Sequence, residues 1–296
     1  MPNEFDFIDW IRAQQKHNAR VRIGIGDDLA ALNWAKNELL LVGVDQVLDG
    51  VHFDSTVHLP RAIGQKAMNR NLSDCAAMAC LPAAATITFA LPKGIGEDYA
   101  KELFLGIMEA GEKFDCTIVG GDTASWPGKL AITVSILGRS AGITPVGRAG
   151  AKPGDAIYVT GPLGGSILGR HMTFEPRVQL ARELAANFQL HAMMDLSDGL
   201  GRDLRHICRA SGVGATLRIQ EIPVHPDAIR LAKNDPVVHA ITDGEDYELL
   251  IVSPDDLPAP CVQIGSIESR AGLTLETKDA DVTFDPSELG GWEHQL

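Results

Sequence analysis

Acidic residues recur in this chain at the points where apolar runs stop, and that pattern restricts the folds open to it. It is sharpest at Met193–Leu204, MMDLSDGLGRDL. There a short apolar run delivers Asp195, Ser197 and Asp198, then Gly199, then an amphipathic pattern at helical spacing. Two carboxylates and a hydroxyl thus stand at a strand-to-helix junction. A helix N-terminus favours negative charge, and its first-turn N–H groups are either capped by a side chain such as Ser197 or Asp198 or left to bind a ligand phosphate. A capped helix start accounts for this stretch alone. It does not account for the same theme at Asp27–Asp28, Asp45, Asp74, Asp122 and Glu245–Asp246.

Two carboxylates about 4 Å apart repel by roughly 4 kcal/mol at an effective dielectric of 20. Should Asp28, Asp45, Asp74, Asp122 and Asp195 converge, divalent cations have to neutralise them, and the same cations would bridge to a polyphosphate. Spacing alone does not establish that convergence. The formal net charge of -13 comes with no basic stripe, which argues against a nucleic-acid or membrane partner. Five cysteines, Cys75, Cys80, Cys116, Cys208 and Cys261, form no C-x-x-C pair and read as free thiols of a reducing compartment. The start, MPNEFDF, is unlike a signal peptide, and Leu72–Pro92 is interrupted by Asp74 and Pro82, so a cytoplasmic location is expected.

With 296 residues the chain has room for two domains. The pattern predicts an opening helix from Phe5 to about Lys16, a buried strand over Glu38–Asp45, a long helix over Arg61–Ala79 and a strand over Ala83–Leu91. A helix over Glu97–Phe114 follows, with Leu103, Ile107 and Ala110 inward, then a short strand Cys116–Gly120 whose C-terminal turn is Gly121-Asp122-Thr123, and a strand at Leu130–Leu137. GRAGAKPGD at Gly147–Asp155 marks a junction, which divides the chain into residues 1–140 and 141–296. The second part alternates strands and helices imperfectly. Two domains with mixed sheets, an α+β architecture, are therefore expected instead of a doubly wound parallel sheet.

No Walker A loop, kinase glycine loop, zinc-type Cys/His spacing or nucleophile elbow is present. What remains is aspartate with glycine at element ends, a composition suited to Mg²⁺ and phosphate. The ordered set GIGDD, VD…DGVHF, NLSDCAAM, GGDT, GRAGAKPGD, DLSDGL and GEDYELL resembles the thiamine-monophosphate kinase family, within the ATP-binding superfamily of aminoimidazole ribonucleotide synthetase and selenophosphate synthetase. The motifs run from Gly24 to Leu250.

That resemblance implies direct transfer of the ATP γ-phosphate to thiamine monophosphate by a homodimer paired through its N-terminal domains. It implies Mg²⁺ ligation by Asp28, Asp45, Asp74, Asp122 and Asp195, with Asp198 holding a further ion. ATP contacts are implied for Gly121, Asp122, Arg148 and Ser197, and thiamine monophosphate contacts for His52, Glu245 and Trp292. The chain departs from the family pattern in Gly43, Val44 and Gln46, which replace the hydroxyl residues usual around the strand-end aspartate, and in Asp243 before Gly244. The alternatives are an enzyme of the superfamily with another acceptor, a non-catalytic nucleotide-binding homologue, or a domain whose acids are all solvated turns. The reactive Cys-and-Lys segment of selenophosphate synthetases and the terminal Cys of the hydrogenase-maturation relatives are both missing.

Overall fold

The computed structural model describes residues 4–14, 18–277 and 281–284. The first half runs α1 (Glu4–Gln14), β1 (Val21–Ile23), β2 (Ala30–Ala35), β3 (Glu38–Leu48), α2 (Pro60–Ala77), β4 (Leu81–Pro92), α3 (Glu97–Glu112), β5 (Thr117–Trp126) and β6 (Ala131–Arg139). Its strands form one sheet in the order β1-β2-β3-β6-β4-β5, antiparallel except for the β4–β5 pair. Pro60 opens α2, where a missing N–H costs nothing. Inward residues of α2 and α3, among them Ile63, Leu72, Leu103 and Ile107, pack with Leu41, Ile132 and Ile136 into one core. Each such side chain contributes about 1.5–3 kcal/mol by leaving water.

The second half runs β7 (Ala156–Val159), α4 (Arg170–Thr173), α5 (Val178–Asn187), β8 (Ala192–Asp195), α6 (Leu200–Ser211), β9 (Gly214–Arg218), α7 (Pro226–Leu231), α8 (Val237–Thr242), β10 (Leu249–Ser253), β11 (Val262–Glu268), β12 (Leu273–Glu276) and β13 (Asp281–Phe284). The sheet order is β13-β12-β9-β11-β7-β10-β8, with β12 parallel to β9. Leu200, Leu204 and Ile207 of α6 close its core over Ile157, Leu250 and Ile264. Both sheets are mixed, as an α+β reading requires.

The halves share a third apolar cluster. Ala76 and Ala79, at the end of α2, pack with Tyr158, Val178, Met193 and Ile251. Arg182 of α5 ties the junction by donating to the carbonyls of Ala79 at 2.9 Å and Ala141 at 3.0 Å. The last turn of α2 therefore lies against β8, which is what carries Asp74 toward Asp195.

Two expectations are corrected. β3 does not stop at Asp45 but continues to Leu48, because β6 pairs with it residue for residue from Leu40 to Leu48. Gly121-Asp122-Thr123 is not a turn: it lies inside β5, paired in parallel with Ile87, Thr88 and Phe89. Gly121 is required there because a Cβ would lie 2.0 Å from the Ile87 carbonyl oxygen. Among the described residues no helix is long and apolar enough to cross a membrane, and all five cysteines are free.

Candidate active site

The focal turn begins where β8 ends at Asp195. Gly199 precedes α6 at φ 107°, a conformation that disfavours any side chain. The N-cap position falls on Gly199, which has no side chain to cap with, and not on Ser197 or Asp198. Asp203 reaches back from within the first turn, its Oδ2 accepting the N–H groups of Asp198 and Gly199, each at 3.1 Å. Burial, and then the Asp198 carboxylate, push the Asp203 carboxyl well up. Asp198 pairs with Arg202, its Oδ2 lying 3.7 Å from Arg202 Nε. Asp198, Asp203 and His206 offer ligand atoms within 4.8 Å of one another. His206 is pushed down to about 3 by burial and then by Arg148, so its imidazole is neutral.

The turn is braced by the segment that follows α8. The Ser197 carbonyl accepts the Glu245 N–H at 2.7 Å, and the Leu196 carbonyl accepts that of Tyr247 at 2.8 Å. Glu245 and Tyr247 both adopt left-handed backbone, at φ 62° and 52°. Non-glycine residues held there store strain of order 1–3 kcal/mol. From there Glu245 reaches Lys66 on α2 at 2.7 Å, and the Tyr247 ring stacks on Phe174 with centroids 3.8 Å apart.

At the centre, Asp28 from the turn before β2, Asp74 from the last turn of α2 and Asp195 from the end of β8 bring carboxylate oxygens within 4.8 Å of one another. Ser73 Oγ donates to Asp195 Oδ2 at 2.5 Å. Arg148 reaches Asp28 through Nη2 at 2.6 Å and Nε at 3.4 Å, while its own N–H donates to Asp27 Oδ1 at 2.9 Å. Burial and then Asp28 raise the Asp195 carboxyl to about 7. Burial and then Asp195 raise that of Asp74 well above the carboxylate range. A trio of carboxylates whose ionised forms are mutually disfavoured, all offering hard oxygens, fits a divalent cation.

Beside this trio lies a charged row. Lys66 is 0% exposed, and its Nζ donates to the His52 carbonyl at 2.6 Å and pairs with Glu245 Oε1 at 2.7 Å. Burial pushes its ammonium down to about 8. Arg70 lies 3.5 Å from the same Glu245 oxygen and holds Asp45 through Nε at 2.5 Å. His52 accepts the Leu48 N–H on Nδ1 at 3.0 Å, and burial, then Arg70, lower its ring to about 4, leaving it neutral.

Asp28, Asp74, Asp195 and Arg148 are thus brought together, with Ser197 and Asp198 on the adjoining turn and His52, Asp45 and Glu245 along the charged row. Gly121 and Asp122 are not brought to this centre within one chain. They line a separate cleft of about 470 Å³ with Phe89 and Phe104, and Asp122 is exposed. Trp292 lies outside the described residues. Lys66, Arg70, Ser73, Asp203 and His206 are functional candidates missed in the sequence. The signal for the first two was the i, i+4 step Lys66, Arg70, Asp74, which places two cations and a carboxylate on one helix face.

Comparisons with known proteins follow this geometry. The N-terminal domain model of AIR synthase related proteins matches residues 26–140, and the C-terminal domain model matches residues 152–276. The chain is 39% identical over 289 residues to the thiamine-monophosphate kinase of Rhodopirellula baltica, covering 91% of each. It is 34% identical to the thiamine-monophosphate kinase of Bacillus subtilis, covering 99% of each. The solved structure of AaThiL complexed with AMPPCP and TMP matches with a TM-score of 0.86 at 28% identity, over 99% of this chain and 97% of that one.

Proposed function

Because this chain belongs to the thiamine-monophosphate kinase family of AIR synthase related proteins, we propose that it transfers the γ-phosphate of ATP directly to thiamine monophosphate, giving thiamine diphosphate and ADP. The observation that carries this reading is the meeting of Asp28, Asp74 and Asp195, drawn from three elements and both halves, beside the Ser197–Asp198 turn. Asp28, Asp74 and Asp195 would hold Mg²⁺, and Asp198 would hold a further ion. When bound, Mg²⁺ neutralises the nucleotide phosphates and the charge that develops during transfer.

The chain's own groups do the positioning. The attacking atom is a phosphate oxygen, already ionised near neutral pH, so no general base is needed and the neutral His52 has no proton to take. Arg148, held on Asp28, and Ser197, on the turn after Asp195, bind ATP. Glu245 and His52, fixed by Lys66, face the acceptor. Bringing two polyanions into line in this way is the main catalytic task.

We further propose that the N-terminal halves pair through the open face of the first sheet. Gln46, Thr133, Thr88 and Asp122 form a continuous row across that face. Val44 beside the row is 64% exposed, and among the described residues β5 leaves one edge unpaired. Pairing there would draw Gly121 and Asp122 into the nucleotide site.

The test is to incubate the protein with ATP, Mg²⁺ and thiamine monophosphate and to separate the products by chromatography. Equal amounts of ADP and thiamine diphosphate are expected. ATP binding without that product would overturn the acceptor assignment and leave a different acceptor or a binding role.

A further inference from the structure

Asp45 was expected among the cation ligands, yet its carboxylate is already engaged. Oδ2 accepts from Arg70 Nε at 2.5 Å, while Oδ1 accepts from Arg70 Nη2 at 3.3 Å and from the Gln46 N–H at 3.0 Å. Asp45 is not one of the three residues whose oxygens lie within 4.8 Å of one another. Of its flanks, Gly43 and Val44 have no side-chain oxygen, and the Gln46 amide nitrogen donates to Thr133 Oγ1 at 2.9 Å. Arg70 is fixed in turn. It stands four residues before Asp74 on α2, so the helix presents a guanidinium and a carboxylate to one centre, and Glu245 lies 3.5 Å from its Nη1. A divalent ion on Asp45 would have to displace this planar fork and then sit next to its charge.

We propose that Arg70 is a built-in cation that takes the Asp45 arm of the centre, so that the chain assembles its nucleotide complex with one divalent ion fewer than its carboxylates would bind. The inference rests on the reading that Asp28, Asp74 and Asp195 hold divalent ions for ATP. Asp45 then acts as a positioning residue for Arg70, and Arg70 contributes a fixed positive charge that needs no metal in solution.

The test counts bound Mn²⁺ by electron paramagnetic resonance in the presence of a non-hydrolysable ATP analogue. Asp45→Asn is expected to bind as many ions as the unaltered protein. Arg70→Ala is expected to bind one more, Arg70→Lys to keep the original count, and Arg70→Ala with Asp45→Asn to lose the extra ion. Loss of one ion in Asp45→Asn would overturn the inference, and so would a folded Arg70→Ala that gains none. Should Arg70→Ala fail to fold by circular dichroism, the Asp45→Asn count decides alone. No bound Mn²⁺ in the unaltered protein would overturn the underlying reading, and the inference with it.

Discussion

Asp195 is buried at the end of β8, and burial and then Asp28 push its carboxyl up to about 7, against about 3.9 for an aspartate in an unfolded chain. Between those values the folded protein binds more protons than the unfolded one, so stability falls as pH rises through the window. Without divalent cations, the urea midpoint is expected to drop between pH 5 and 7.5, by on the order of 2–4 kcal/mol in unfolding free energy. Asp195→Asn should flatten that slope, as should Mg²⁺ with ATP, because a bound cation favours the carboxylate; a slope unchanged in Asp195→Asn would assign it elsewhere. Lys66 makes the opposite case, a buried cation that satisfies Glu245 and the His52 carbonyl. Lys66→Met is expected to cost about 2–4 kcal/mol by urea unfolding, since the partners are left unmatched.

Among the elements, the turn between β8 and α6 depends on Gly199. Its φ is 107°, and a Cβ would lie 2.9 Å from the Asp243 carbonyl oxygen. Gly199→Ala should destabilise by about 1–3 kcal/mol. It should also lower kcat more than KM, because Ser197 and Asp198 shift relative to Asp195; thermal melting and steady-state rates check both. This turn was legible in the sequence, since apolar run, acids, glycine and amphipathic pattern come in chain order. The inward residues of α3 were legible for the same reason, through the helical spacing of Leu103, Ile107 and Ala110. The path of β5 was not. Glycine followed by aspartate reads locally as a turn, and only the neighbouring β4 makes an extended strand of it. The short β1 and β2, helix α8 and the late β13 carry too few residues for a period to emerge.

Taken as a whole, the molecule is two mixed-sheet halves joined by the end of α2, with the acidic centre at the joint. The aspartates were visible one by one, but their convergence is a tertiary property: Asp28, Asp74 and Asp195 are scattered over the chain, the seating of α2 on β8 brings Asp74 to Asp195, and the Asp28 turn is held by Arg148 and by the Leu29 N–H on Met78 Sδ at 3.0 Å. The roles of Lys66 and Arg70 were hidden for the same reason, because their partners Glu245 and Asp45 come from other elements. Assembly belongs to this scale too. On the pairing proposed above, Val44→Glu on the open sheet face converts a dimer to a monomer by light scattering and reduces transfer by about tenfold or more; a dimer that persists in Val44→Glu would overturn that pairing. The measurement that tests the central claim most directly follows the phosphorus of γ-labelled ATP through one turnover with Mg²⁺ and thiamine monophosphate. Direct transfer at the joint predicts that the label appears in the terminal phosphate of thiamine diphosphate, in step with ADP and with none retained on the protein. Label recovered as free phosphate, or bound to the chain before the product appears, would contradict it.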